Sequence, residues 1–520
     1  MAQPLQPLSI AAPGFYGLNT EASATSLEAN WATTANNCVI DYSGRLAARK
    51  GWAQQTTTAL TGSPWVEQLF EYEKDSSTRY ILSCATVSTV KKIYSSADDG
   101  AGGIATMTDR TNTITPATGN NWKFVNLNGK VHGYQQGHTP IWWDGVAAGF
   151  VDAVATSGTL PQGNDAIAAL GRIWSFDSTN TVVQYSDLLL PLAWGAGSAG
   201  SIDLKSVWAY GMDKGVALAM FNGNLVIFGE KSILIYTRPD LVGTSGMYLV
   251  EHIQGTGCIA RDSVQQIGTD ILFLSRSGVK SLGRTIQEKS GPLEDVSKNV
   301  RTTLLTYVAL EDLTKIRSVY YEKENFYILS LPTTAKVDFC FNVSNAMQDG
   351  SARITIWNGI NPHSWCWSKR GNLYCGQGGV IGKYSTYLDN ASTYLLEYKS
   401  PWLDLNGGQD QNISSRLKIP KKFSMIVKGN NQAVSIGLSY DYSDIVNAST
   451  IITIPSTNFP IWGTSIWGVA TYSGQGLIYS GLSTPISGSG KVLQFNLNTS
   501  INNHEFSIQR LELRFILGKL

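Results

Sequence analysis

The 520-residue chain is short of charge: Asp, Glu, Lys and Arg make up 15% of it, against about 25% in ordinary globular domains. It also lacks an excess of either sign, since 40 basic and 39 acidic residues leave a formal net charge of +1. A freely soluble protein that binds nucleic acid by neutralising phosphates carries a basic surplus, so this balance argues against that class. A charge-poor, near-neutral surface is instead prone to associate. There is no uninterrupted apolar run of about 18 residues, so no transmembrane helix and no membrane insertion are expected. The opening Met1-Ala2-Gln3-Pro4-Leu5-Gln6-Pro7 has neither a basic stretch nor an apolar core, so no signal peptide is expected. The six cysteines, Cys38, Cys84, Cys258, Cys340, Cys366 and Cys375, contain no Cys-x-x-Cys. An even count leaves three bridges open, but scattered spacing without a leader reads as reduced thiols in a cytoplasm. Helix signals are few; the best covers residues 295–313, with Val300, Leu304, Val308 and Leu305 toward one face.

Catalytic signatures are equally scarce. Gly195-Ala196-Gly197 lacks the strand, helix and Lys-Ser/Thr context of a phosphate loop. Gly197-Ser198-Ala199-Gly200 is one residue short of a nucleophile elbow. His363, Cys366 and Cys375 are soft metal ligands close in sequence, but a closed zinc site needs four and no fourth is near. The same segment reads as a hairpin with Trp365 and Trp367 on one face and Cys366 on the other. His132, His138, His252 and His504 are isolated. Ser96-Ala97-Asp98-Asp99-Gly100 begins like a sialidase Asp box, but Ala, Gly and Gly follow where Trp belongs; an Asp-Gly turn is the simpler reading. Trp142-Trp143, Trp462 and Trp467 are sugar platforms if exposed and core residues if not. Arg416, Lys418, Lys421 and Lys422 alternate with Leu417 and Ile419. They read as a lysine-protected strand face or as a contact to an acidic partner or DNA phosphate. No catalytic, cofactor-binding or metal-binding residue is expected, and no enzyme activity.

What the chain does have is apolar residues (43%), 51 Gly, 15 Trp and 23 Tyr, the composition of glycine turns joining aromatic strands. A tight turn followed by a short β-rich run recurs seven times. The turns are Lys74–Thr78 (faintest), Asn128-Gly129-Lys130, Leu170-Gly171-Arg172, Asn222-Gly223-Asn224, Gly268-Thr269-Asp270, Lys323-Glu324-Asn325 and Arg370-Gly371-Asn372. A spacing near 45–55 residues is close to the period of propeller blades. One blade cannot bury both faces, so about seven in a ring are expected to share a continuous core. A β-sandwich with repeated hairpins is the alternative; seven similar turns in one order favour the propeller. The fold class is therefore all-β, divided into an extended amino-terminal segment with a hairpin (residues 1–60), a β-propeller (61–390) and a carboxy-terminal sandwich or barrel-like domain (391–520). The hairpin is expected to turn at Ser43-Gly44.

The amino-terminal segment carries a specific likeness. Gly17-Leu18-Asn19-Thr20, Asn36-Asn37-Cys38, Gly44-Arg45-Leu46 and Arg49-Lys50-Gly51-Trp52 resemble the opening of tail nozzle or hub proteins of short-tailed bacteriophages, known as tail tubular protein B or packaged-DNA stabilisation proteins. The motif covers residues 17–52; the blade pattern to residue 390 is similar as architecture, and the last 120 residues match in texture only. The resemblance implies a homohexameric ring below the portal and its adaptor, part of a virion tail assembled in the host cytoplasm. Such a ring continues the channel for double-stranded DNA, helps to retain the packaged genome, conducts it at ejection, and carries tail fibres or a needle. Gly17, Asn19, Thr20, Cys38, Gly44, Arg45, Arg49 and Gly51 are then structural, and Arg416, Lys418, Lys421 and Lys422 contact a partner. From the charge count, a channel lining of mixed or negative potential is expected, with those four cations away from its narrowest point. A carbohydrate-binding or carbohydrate-cleaving propeller for host-surface recognition is the alternative.

Overall fold

A computed structural model describes residues 5–98, 104–208, 213–242, 246–288, 295–344, 346–404, 415–455 and 479–518. Asp99, Gly100, Trp462 and Trp467 lie outside the described residues.

Seven antiparallel sheets follow one another along the chain and form a β-propeller. The first blade runs from Val66–Glu73 through Arg79–Val87 and Val90–Ala97 to Thr108–Asp109. Blades two to four occupy residues 123–152, 166–203 and 215–254; blade five has three strands in 265–281. Blade six spans 317–357, and blade seven takes three strands from 364–384 and its fourth, Trp52–Gln54, from far upstream. All seven repeated turns join the first and second strands of successive blades. Their chemistry explains the recurrence. Asn128 and Gly129 have φ of 51° and 68° and Asn222 and Gly223 have 47° and 77°, the left-handed pair that a two-residue hairpin turn needs. Leu170 holds the same conformation without Asn's help, at φ 54°.

Apolar clusters fill the gaps between blades. Tyr72, Leu82 and Ile93 of blade one meet Trp122, Phe124 and Trp143 of blade two. Blades three and four share Trp174, Phe176, Leu225 and Leu234, and blade seven returns to blade one through Tyr374, Ile381, Val66 and Ile81. The ring therefore closes by packing as well as by strand pairing, as a blade with two apolar faces requires.

The carboxy-terminal region is a sandwich. In one sheet Lys418–Lys428 pairs with Tyr479–Pro485 and with Ser507–Leu517. In the other, Tyr394–Lys399, Leu493–Ile501, Gln432–Tyr440 and Ala448–Ile454 lie side by side. Phe423 and Phe495 meet between the sheets with ring centroids 6.2 Å apart. The second sheet does not stop at the domain edge: Thr34–Asn36 pairs parallel with blade six and antiparallel with Tyr394–Lys399. One hydrogen-bonded path of nine strands thus leads from the innermost strand of blade six to the outer edge of the sandwich.

Residues 1–60, read from sequence as a separate segment, are shared out between the other two parts. Gln6–Ala11 and Leu46–Ala48 both pair with Ser507–Leu517, Cys38–Ile40 pairs with Leu46–Ala48, and Trp52–Gln54 closes blade seven. The helical signal becomes a short helix, Arg301–Ala309, preceded by a 3-10 turn. Val300, Leu304 and Val308 are buried there; Leu305 is only partly so.

Candidate functional site

The residues of the amino-terminal motif converge on the seam between propeller and sandwich. Arg49 is its centre, with a fully buried side chain. Its Nη1 and Nη2 donate to Asp389 Oδ1 and Oδ2 at 2.8 and 2.7 Å. Nε donates to Asn37 Oδ1 at 2.9 Å, and the remaining donors reach the carbonyls of Lys50 and Asn358, both at 3.0 Å. The guanidinium also lies 4.0 Å from the centre of the Tyr394 ring, whose hydroxyl donates to the Arg49 carbonyl. Burial works against the charge, but Asp389 outweighs it and holds the Arg49 pKa above its usual value. A planar five-donor fork satisfied on every side is the arrangement that keeps a buried cation tolerable. A cavity of about 500 Å³ opens beside it, lined by Asn36, Trp52, Ser392 and Glu397 among others. Nearby, burial pushes the Asp338 carboxyl up to about 7; the Ser330 hydroxyl and the Arg49 charge offset only part of that.

The other motif residues hold this seam. Gly17 pairs in parallel with Trp31 and Ile354. Asn19 Oδ1 accepts from the backbone N–H groups of Glu21 and Ala22, both at 3.1 Å. Thr20 donates its N–H to Asn299 and accepts from the Thr303 hydroxyl. Cys38 is buried, and its carbonyl accepts from Trp357 Nε1 at 3.0 Å. Arg45 and Asp41 form an ion pair at 2.6 Å across the hairpin turn. Gly44 in that turn has φ 70°, and an added Cβ would stand 2.5 Å from Pro13 Cβ. Gly51 faces backbone: a Cβ there would lie 2.1 Å from the Leu388 carbonyl oxygen.

A second polar centre lies among the first strands of several blades, and no local pattern in the sequence marks it, because its members are single charges scattered over 250 residues. Arg261 pairs with Asp262 at 2.8 Å and donates to the carbonyls of Asn164 at 2.6 Å and Trp122 at 3.2 Å. Arg317 reaches Asp262 at 3.2 Å and donates to the carbonyls of Glu67, Thr314 and Ile316. Glu67 receives Lys91 at 3.0 Å and Lys315 at 3.5 Å; Lys123 pairs with Asp165 at 3.3 Å. The two arginines with Asp262 hold that carboxyl far below the usual range despite its burial. These contacts tie blades one, two, three, five and six together.

The remaining candidates are dispersed. Cys366 lies in the cluster shared with blade one and Cys375 in the cluster shared with blade six, on opposite faces of blade seven. His363 stacks on Trp65 at 4.0 Å and is held down to about 4 by burial and by Arg317. No group of three or more candidate metal ligands comes together among the described residues. Trp143 is buried and Trp142 is covered by the Lys130 ammonium at 4.4 Å. Asp98 is buried and pairs with Arg370 at 3.6 Å. The four cations do not form one surface. Lys421 and Lys422 are exposed and Arg416 is half-buried against the Gly518 carbonyl. Lys418, expected among the partner contacts, is instead turned inward, where its ammonium donates to the Lys491 carbonyl at 2.6 Å. Strand alternation buries positions 418 and 420, and a bulge after Pro420 then exposes two lysines in a row.

No family model and no curated protein matches the chain. Among solved structures it is similar to Raptor from Chaetomium thermophilum, at 11% identity and a TM-score of 0.40, over 65% of this chain and 29% of that one. It is also similar to YCF48 from Cyanidioschyzon merolae, at 9% identity and 0.36, over 64% and 98%. The WD40 domain of Toxoplasma gondii coronin follows at 9% and 0.37, over 68% and 86%.

Proposed function

We propose that this chain is a structural virion protein of a short-tailed phage. In this reading it is a tail nozzle or hub that assembles into a homohexameric ring, continues the channel for double-stranded DNA, helps to retain the genome and conducts it at ejection. The observation that carries the reading is the likeness of residues 17–52 to that family. In the fold, the same residues bolt propeller to sandwich, which is what a load-transmitting assembly part needs from its most specific segment. In a ring, DNA would run through a pore enclosed by several subunits. Adaptor, fibres or needle would dock on the ring, and assembly would take place in the host cytoplasm before incorporation into the tail. No enzyme activity is proposed.

A head-to-tail ring needs two unlike patches on one subunit. Leu170, Leu188, Leu189 and Leu190 are exposed together on blade three, and Tyr442, Ile445, Val446 and Ile451 on the sandwich. Blade three stands across the ring from blade six. The sandwich patch lies at the far end of the nine-strand path. The test is mass photometry with negative-stain imaging of the purified chain, alone and with its adaptor. Sixfold rings with an open pore are expected; a monomer under both conditions that binds a defined glycan would overturn the reading.

A further inference from the structure

The outer edges of the blades are not alike. In blades one, two and three the outermost strands are Thr108–Asp109, Val151–Asp152 and Gly200–Asp203, of two, two and four residues. Blade seven ends in the short Trp52–Gln54, and blade six is continued by Thr34–Asn36. The edge of blade five is met by Ser297, whose Oγ accepts from the Val279 N–H at 2.9 Å. Short or covered edges are the usual defence against unwanted strand pairing. Blade four departs from this. Its outermost strand, Tyr248–Gln254, has seven residues with neither lysine nor proline, and it pairs with Ser232–Thr237 alone. Among the described residues, no backbone group of 248–254 bonds to anything outside the blade.

The sandwich shows how this chain guards a long edge. Gln6–Ala11 pairs with Ser507–Leu517 and with no other strand among the described residues. The Ala12 N–H donates to the Gln509 carbonyl in the same register at 2.9 Å, so alternation turns positions 10, 8 and 6 toward that partner and positions 11, 9 and 7 toward the free side. Pro7 therefore stands on the open edge with no N–H to offer. On blade four the open side carries apolar side chains instead. A bulge at Val250 sets Tyr248, Val250 and Glu251 on the face that Ile233, Ile235 and Ile253 turn toward blade five. Blade five has three strands where its neighbours have four, and Tyr248 and Val250 are 58% and 53% exposed.

We infer that Tyr248–Gln254 takes up an extended segment of a partner polypeptide as a fifth strand of blade four, with a basic residue opposite Glu251 and apolar residues against Tyr248 and Val250. A second copy of this strand is the poorer occupant: antiparallel pairing over its full length centres on residue 251 and sets Glu251 against Glu251. A foreign strand can place a cation there, and Glu251 makes no ion pair of its own among the described residues. The inference stands apart from the nozzle reading and holds for a monomer or a ring.

The probe is a blocked heptapeptide with threonine at its odd positions and valine, lysine and valine at its even ones, labelled and titrated into the full chain by fluorescence anisotropy. Its control has the same side chains on N-methylated nitrogens, which cannot donate to the edge. The parent peptide is expected to bind and to slow hydrogen exchange at residues 248–254, and the control to do neither. Val250→Lys and Tyr248→Lys should each weaken binding about tenfold. Both positions are exposed, so the unliganded melting temperature should not move. Glu251→Lys should reverse the preference for lysine over glutamate at the centre of the peptide. No binding of the parent peptide, equal binding of the control, protection elsewhere on the chain, or unchanged affinity in both lysine variants would overturn the inference. So would a dimer of the chain alone in sedimentation that Val250→Lys abolishes, because a second copy would then be the occupant.

Discussion

Arg49 and Asp389, 340 residues apart, meet in a two-point ion pair that joins the amino-terminal segment to the connection between propeller and sandwich. Removing one member of a buried pair leaves the other uncompensated, at a cost of about 3–5 kcal/mol. Arg49→Met should therefore lower the urea midpoint substantially, and Arg49→Lys should recover little, because an ammonium cannot serve Asp389, Asn37 and Asn358 at once. Equilibrium urea unfolding of the three proteins checks this; a lysine variant as stable as the parent contradicts it.

The two seam glycines should fail for different reasons. Gly44→Val demands a β-branched residue at positive φ and against Pro13, so the hairpin should distort and folding or assembly suffer. Gly51→Ala needs no unusual dihedral, yet its methyl would collide with the Leu388 carbonyl, so even this smallest change should cost several degrees of melting temperature. Differential scanning calorimetry of both variants is the measurement, and an unchanged melting temperature in either one removes its assigned role.

Asp338 gives stability a pH dependence of definite sign. Its carboxyl titrates at about 7 in the fold and near 3.9 when unfolded. The fold keeps a proton that the unfolded chain releases, so this group's stabilising contribution is complete below pH 4 and is lost as pH rises to about 7. Asp338→Asn should flatten the melting-temperature profile in that window and be more stable than the parent at pH 8. A parallel, equally sloped profile for the variant would refute the assignment.

All six cysteines are buried and unpaired, and burial pushes Cys84, Cys258 and Cys375 up to about 12. Thiolate, not thiol, is the reactive form. A thiol reagent at pH 8 should find no fast-reacting group in the native protein and six after denaturation. One rapid equivalent in the native state would show an exposed thiolate the fold does not contain among its described residues.

The four cations on the sandwich should now split. Lys421→Glu and Lys422→Glu change an exposed face and should leave melting unaltered while disturbing partner binding or solubility. Lys418→Glu places an anion in a buried site facing a carbonyl and should destabilise strongly. Thermal melts of the single variants decide it; equal behaviour of all three contradicts the burial of Lys418.

How far the sequence could be read depended on how local the signal was. Asn128-Gly129 and Asn222-Gly223 announce their turns because left-handed backbone has a residue preference, so the sequence marks about seven blades. The pairing of Trp52 with Tyr384, or of Asn36 with Ile356, has no such mark, because strands far apart in sequence meet through surface shape and register. Arg49 was singled out within a motif, yet nothing near it points to Asp389. The second polar centre was invisible for the same reason: Glu67, Asp165, Arg261 and Arg317 are ordinary charges until the ring brings them together. A Lys-rich strand looks solvated in sequence alone; the bulge after Pro420 is what turns Lys418 inward while exposing Lys421 and Lys422.

The pairing of Trp52–Gln54 with blade seven and of Gln6–Ala11 with Ser507–Leu517 also sets an order of events on the ribosome. Blades one to six can each pair as they emerge, but residue 52 must wait for residue 384. At about 5–20 residues per second that delay is on the order of tens of seconds. Through that interval the propeller is an open crescent with an unpaired strand edge, and the sandwich lacks its last strand until translation has passed residue 517. Until residues 384 and 517 have emerged, these edges stay open to a chaperone or to a neighbouring copy on the same message.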